Sequence, residues 1–94
     1  PQETLQMYID AVEKGYYELA SKYFIGDYQE MELESSRKMP SNEIQKYIDI
    51  LKNAITKLDI DGKYDTDKKY FSLYKPILIR MKLYPNGIWK IIEI

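Results

Sequence analysis

The segment Ile77-Leu78-Ile79-Arg80-Met81-Lys82-Leu83-Tyr84-Pro85-Asn86-Gly87-Ile88-Trp89-Lys90-Ile91-Ile92-Glu93-Ile94 reads as a β-hairpin. Its first arm places Ile77, Ile79, Met81 and Leu83 on one face and Arg80 and Lys82 on the other. That period of two marks a strand buried on one side and wet on the other. Pro85-Asn86-Gly87 is the turn: Pro fixes φ, while Asn and Gly tolerate the left-handed conformations that a tight reversal needs. In the second arm Trp89 and Ile91 share a side with Glu93, and Ile88, Ile92 and Ile94 share the other with Lys90. Both faces of this last strand therefore offer apolar area, to be covered by helices, by another surface, or by a cap on the sheet edge.

Upstream, Lys69 to Tyr74 is aromatic and strand-forming, so three antiparallel strands are expected. The polar stretch Asp59 to Asp67 connects them to a helix predicted over Asn42 to Leu58. Stepping about 100° per residue from Ile44, the residues Ile48, Leu51, Ile55 and Leu58 fall on one stripe, and Tyr47 lies beside it. Ile50 falls off that stripe, onto the polar side. Pro40-Ser41 is the expected break and cap of this helix. Before it, Asp27 and Glu30 have the shape of a cap for a helix from Tyr28 to Lys38, whose apolar positions Tyr28, Met31 and Leu33 make no clean stripe. The first helix, Gln2 to Lys14, has Leu5, Tyr8, Ile9 and Val12 on one face and ends at Gly15; a short second helix runs from Tyr16 to Phe24. Helices first and a meander afterwards define an α+β domain, residues 1–94, with the helical layer on one sheet face.

With 14 basic and 15 acidic side chains the net charge is −1, which gives no bulk attraction for nucleic acid or an anionic membrane. Lys69, Lys75, Arg80 and Lys82, with Tyr70 and Tyr74 nearby, outline only a weak basic stripe, and nucleic acid is not expected as a partner. Neither cysteine nor histidine is present, so thiol nucleophiles, imidazole bases, thiolate metal sites and the Ser-His-Asp arrangement are all excluded. No apolar run is long enough to cross a bilayer. Asp59, Asp61, Asp65 and Asp67 alternate as oxygen ligands for a hard cation would, yet counted from Asp59 the stretch lacks the Gly at the sixth position and the Glu at the twelfth that an EF-hand loop needs. The same residues suit a solvated turn, so no metal or cofactor is assigned.

The run Glu3-Thr4-Leu5, Tyr8-Ile9-Asp10-Ala11-Val12-Glu13-Lys14-Gly15 and Tyr17-Glu18-Leu19-Ala20-Ser21-Lys22-Tyr23-Phe24 resembles the opening of small bacterial domains of the nuclear transport factor 2-like, cystatin-like cone-fold superfamily. The ending Gly87-Ile88-Trp89-Lys90-Ile91 is similar to their closing strand. Tyr16 stands where those domains often carry Asp, and the chain is shorter than full-length members. The resemblance implies a truncated cone-like α+β fold. It also implies a place outside the cytoplasm, with the membrane met only through an anchor upstream of Pro1. It carries no catalytic position across.

Catalysis would need a dry concavity holding a displaced carboxylate or phenol. Glu93 is the one carboxylate inside a predicted strand, and it stands next to the chain's last residue, where exposure is expected. A non-catalytic interaction or assembly domain is therefore the preferred expectation, binding a protein partner or a second copy through the open sheet face. Ten tyrosines, with large rings that order at low entropic cost, support it. The candidate contact residues are Met7, Ile50, Tyr74, Tyr84, Trp89 and Ile92. Small-ligand capture, or a degenerate lyase- or isomerase-like enzyme of the same superfamily, is the alternative.

Overall fold

Four strands form one antiparallel sheet in sequence order: β1 (Lys63–Tyr64), β2 (Tyr70–Leu73), β3 (Ile79–Leu83) and β4 (Trp89–Glu93). The structure, a computed structural model, describes residues 1–94. Five helices precede and lead into the sheet: α1 (Gln2–Glu13), α2 (Tyr17–Ser21), α3 (Gln29–Lys38), α4 (Ser41–Ile55) and the single turn α5 (Leu58–Asp61). The class is α+β, as expected, with four strands in place of three. The additional strand, β1, lies in the stretch read as a polar connection; two residues are too few to show a period.

The β3–β4 register pairs Leu83 with Trp89, Lys82 with Lys90 and Met81 with Ile91, and then shifts so that Arg80 faces Glu93. Ile92 is the extra residue of a bulge. One inserted residue reverses every later side chain. Glu93 therefore lies with Arg80 on the open face, 3.5 Å from its guanidinium, while Ile94 turns to the helical side and packs against the core. This corrects the simple alternation, which put Glu93 with Trp89 and Ile94 with Lys90. The turn differs too: Gly87 alone takes positive φ, at 84°, and Asn86 instead accepts a hydrogen bond from the Ile88 amide at 3.1 Å.

The core lies between the sheet's inner face and α1 and α4. Leu5, Tyr8, Ile9 and Val12 are buried, as the α1 stripe requires, together with Ile48 and Leu51 of α4 and Phe71, Leu73, Ile79, Met81 and Ile91 of the sheet. Each fully buried aliphatic side chain among them contributes about 1.5–3 kcal/mol relative to exposure. After Gly15 the Tyr16 amide donates to the Ala11 carbonyl at 2.9 Å and the Gly15 amide to Val12 at 3.1 Å, so the open carbonyls of α1 are satisfied. The long helix stops at Ile55 rather than Leu58, because the chain tightens through Thr56 and Lys57 before α5 restarts it. Neither expected cap operates: no side chain of Tyr28 or Pro40, the residues at the two N-caps, makes a capping bond, and Asp27 lies in a 3-10 turn over Gly26–Tyr28.

Helix α2 ends at Ser21, three residues short of the expected Phe24. After a turn over Lys22 and Tyr23, Phe24 forms a parallel bridge with Ile91, in which the Ile91 amide donates to the Tyr23 carbonyl at 2.8 Å and the Ile25 amide to the Ile91 carbonyl at 2.9 Å. This parallel bridge caps the β4 edge, leaving two-residue β1 as the other edge. No helix is long and apolar enough to cross a membrane.

Candidate functional site

A groove of about 750 Å³ lies at one end of the molecule. The first two turns of α1 form one wall, with Thr4 and Met7; α5, Gly62 and Tyr64 form the other. The start of β4, Ile88 to Lys90, and Lys22-Tyr23 close its ends. Its floor follows from a close approach. A Cβ at Gly62 would overlap the Phe71 ring and the Leu58 carbonyl oxygen, so only glycine lets that ring lie against the backbone. On Phe71 rests Tyr64, edge-on at 5.1 Å between ring centroids, and Tyr64 meets Trp89 in the same manner at 5.7 Å. Such pairs hold one another's orientation and present a stiff aromatic surface.

Buried Thr4 fixes the relation of the walls, donating from Oγ1 to the Trp89 carbonyl at 2.9 Å. Lys90 Nζ donates to the Lys22 carbonyl at 2.6 Å, placing an ammonium group at one end, and exposed Glu3 and Asp59 lie along the rim. Replacing Thr4 with valine keeps its shape and removes the hydroxyl. The expected cost is about 1 kcal/mol in chemical denaturation, with a change in the Trp89 emission spectrum of the folded protein.

Of the six expected contact residues, the groove collects Met7 and Trp89. Tyr84 is half-buried beside the β3–β4 turn, Tyr74 is exposed beyond β2, and Ile50 is exposed on α4. Ile92, at the bulge, borders a shallow depression with Tyr28 and Met31. The six do not form one surface. On the open sheet face stand Lys63, Ser72, Arg80 and Glu93 in one row and Tyr70, Lys82 and Lys90 in the next. Asp65 Oδ1 accepts from the Lys69 and Tyr70 amides at 2.8 and 3.0 Å, so it shapes the β1–β2 turn. The four aspartates converge on no cluster of three ligands.

A second polar centre lies within the helical layer. Tyr8, fully buried in α1, donates its hydroxyl to Glu32 of α3 and lies 2.9 Å from the Tyr47 hydroxyl of α4. Ser36, one turn after Glu32, donates to the same carboxylate oxygen at 3.3 Å. Burial pushes both phenols far above their ordinary values and so keeps them protonated, and burial raises the half-buried Glu32 carboxyl as well, against the opposing pull of its hydroxyl donors. The sequence reading missed Glu32. Its available signal was the spacing of four between Glu32 and Ser36, two polar residues on one helical face.

The sign of the resulting pH effect follows from linkage. Between the ordinary glutamate range and the raised folded value, the native state holds a proton that the unfolded chain has lost. Glu32 therefore makes stability fall as pH rises through that window. Glu32→Gln is expected to match the wild type at pH 4 and exceed it at pH 7; urea unfolding at the two pH values measures this. Comparison of the chain with protein-family models, with curated proteins and with solved structures finds no match.

Proposed function

We propose that this domain is a non-catalytic interaction module and that its end groove, rather than the open sheet face, takes the partner. The supporting observation is the aromatic floor of Phe71, Tyr64 and Trp89 beside charged groups, with exposed Met7 and Ile88 at its margin. Stiff rings in a concavity supply an anchor at low entropic cost, while Lys22 and Lys90 at one end and Glu3 and Asp59 on the rim give direction to an extended polypeptide. The open face carries Lys63, Arg80 and Lys82 against the single acid Glu93, and like charges on identical faces repel. Membership of the nuclear transport factor 2-like superfamily, and a place outside the cytoplasm behind an anchor, belong to the same proposal and rest on the opening and closing motifs quoted above.

Selection from a random-peptide library against the folded domain tests this reading. Enriched peptides are expected to share an aromatic or aliphatic anchor flanked by charge and to lose binding to Met7→Asp. Enrichment no better than that on an unrelated domain, or binders indifferent to Met7→Asp, would overturn it. Capture of a small molecule is the second reading, favoured by the groove's volume, which falls within the roughly 300–1,000 Å³ of ligand sites. In that case compact apolar compounds, not peptides, will change Trp89 emission in a saturable way.

A further inference from the structure

A separate cavity of about 140 Å³ lies between α1, α3, α4 and Ile94, away from the groove. Val12, Met39, Ile44 and Ile94 supply apolar wall, Tyr17 and Tyr47 contribute rings, and Glu32 with Ser36 provides the polar part. Glu32 has hydroxyl partners at one carboxylate oxygen, whereas its other oxygen accepts no hydrogen bond within the chain. No cation reaches it: the two ion pairs of the molecule, Lys52 with Glu13 and Arg80 with Glu93, lie elsewhere. The half-buried carboxylate has no counter-ion and its second oxygen is still open to solvent, so a cation entering the cavity can reach that oxygen and pair with it.

We propose that this cavity is a binding site for a small alkylammonium ion, its ammonium group on the free oxygen of Glu32 and its alkyl group against Val12, Ile44 and Ile94. The surrounding chemistry selects that class. An anion is repelled by Glu32, and a metal ion finds one carboxylate where a site needs several ligands. Tyr17 and Tyr47 line the cavity, and aromatic rings attract organic cations. A cavity of about 150 Å³ holds a molecule the size of benzene, so four or five carbons suit this one.

Isobutylammonium chloride is the probe, followed at pH 7 by amide-resolved NMR, with isobutanol as the uncharged isostere and sodium chloride as the salt control. Saturable shifts at Val12, Ser36, Ile44 and Ile94 are expected, with Kd on the order of 1 mM for so few heavy atoms. Isobutanol should bind at least about tenfold more weakly, as should Glu32→Gln, which keeps an acceptor for Tyr8 and removes the charge. Ile44→Phe fills the cavity while leaving Glu32 in place, and should abolish the shifts. Non-saturating shifts to about ten times that concentration, equal affinity of isobutanol, or unchanged binding by either folded variant would overturn the proposal.

Discussion

Tyr8→Ala is expected to destabilise the domain by about 4 kcal/mol, enough to lower Tm by roughly 16–30 °C at this chain length. The ring is fully buried, meets Phe24 edge-on at 5.4 Å and Tyr47 at 6.5 Å, and joins α1 to α3 and α4 through its hydroxyl. Truncation opens a cavity and also removes the Tyr8 donor from the Glu32 carboxylate, which keeps only Ser36. Tyr8→Phe separates the two effects. It keeps the ring and loses the hydroxyl, at an expected cost of about 1–3 kcal/mol, so the alanine variant should be clearly the worse in a thermal melt. Equal loss for both would assign the whole effect to the hydrogen bond and deny the packing contribution.

Gly62→Ala is the second large effect, although a single methyl group is added. That carbon would overlap the Phe71 ring and the Leu58 carbonyl oxygen. Backbone cannot retreat from it, and Phe71 is itself buried against the core. A cost of about 3 kcal/mol is expected, at the upper end for overpacking. The displaced Phe71 ring should also disturb Tyr64 and Trp89, so a shift in Trp89 emission of the folded fraction accompanies the loss. A variant as stable as the parent would show that the groove floor is not set by this contact.

The elements legible in the sequence are those whose burial repeats. The α1 stripe Leu5-Tyr8-Ile9-Val12 and the α4 stripe around Ile48 and Leu51 span several turns, and the alternation from Ile79 to Leu83 has one charged and one apolar side. Where both parities are apolar the signal vanishes: Ile91-Ile92-Glu93-Ile94 is compatible with either facing, and only pairing with Arg80 reveals the bulge. Strand β1 and the Phe24–Ile91 bridge are defined by hydrogen bonds to distant residues, which local composition does not encode. In the groove, Met7 and Trp89 were readable as apolar residues in excess of the core's needs. Thr4 and Gly62 were not, because their roles depend on what a tertiary fold brings beside them. Glu32 was hidden among Glu30 and Glu34 on an otherwise polar helix, where charge alone gives no hint of which side faces inward.

The most direct measurement is an amide-resolved NMR titration of the folded domain with a peptide enriched by the library selection. Shifts should concentrate on Thr4, Met7, Tyr64 and Ile88 to Lys90, with the Trp89 indole among the largest. Shifts confined to Tyr70, Ser72, Arg80 and Lys82 on the open sheet face would contradict the account and return the contact to the other side of the molecule.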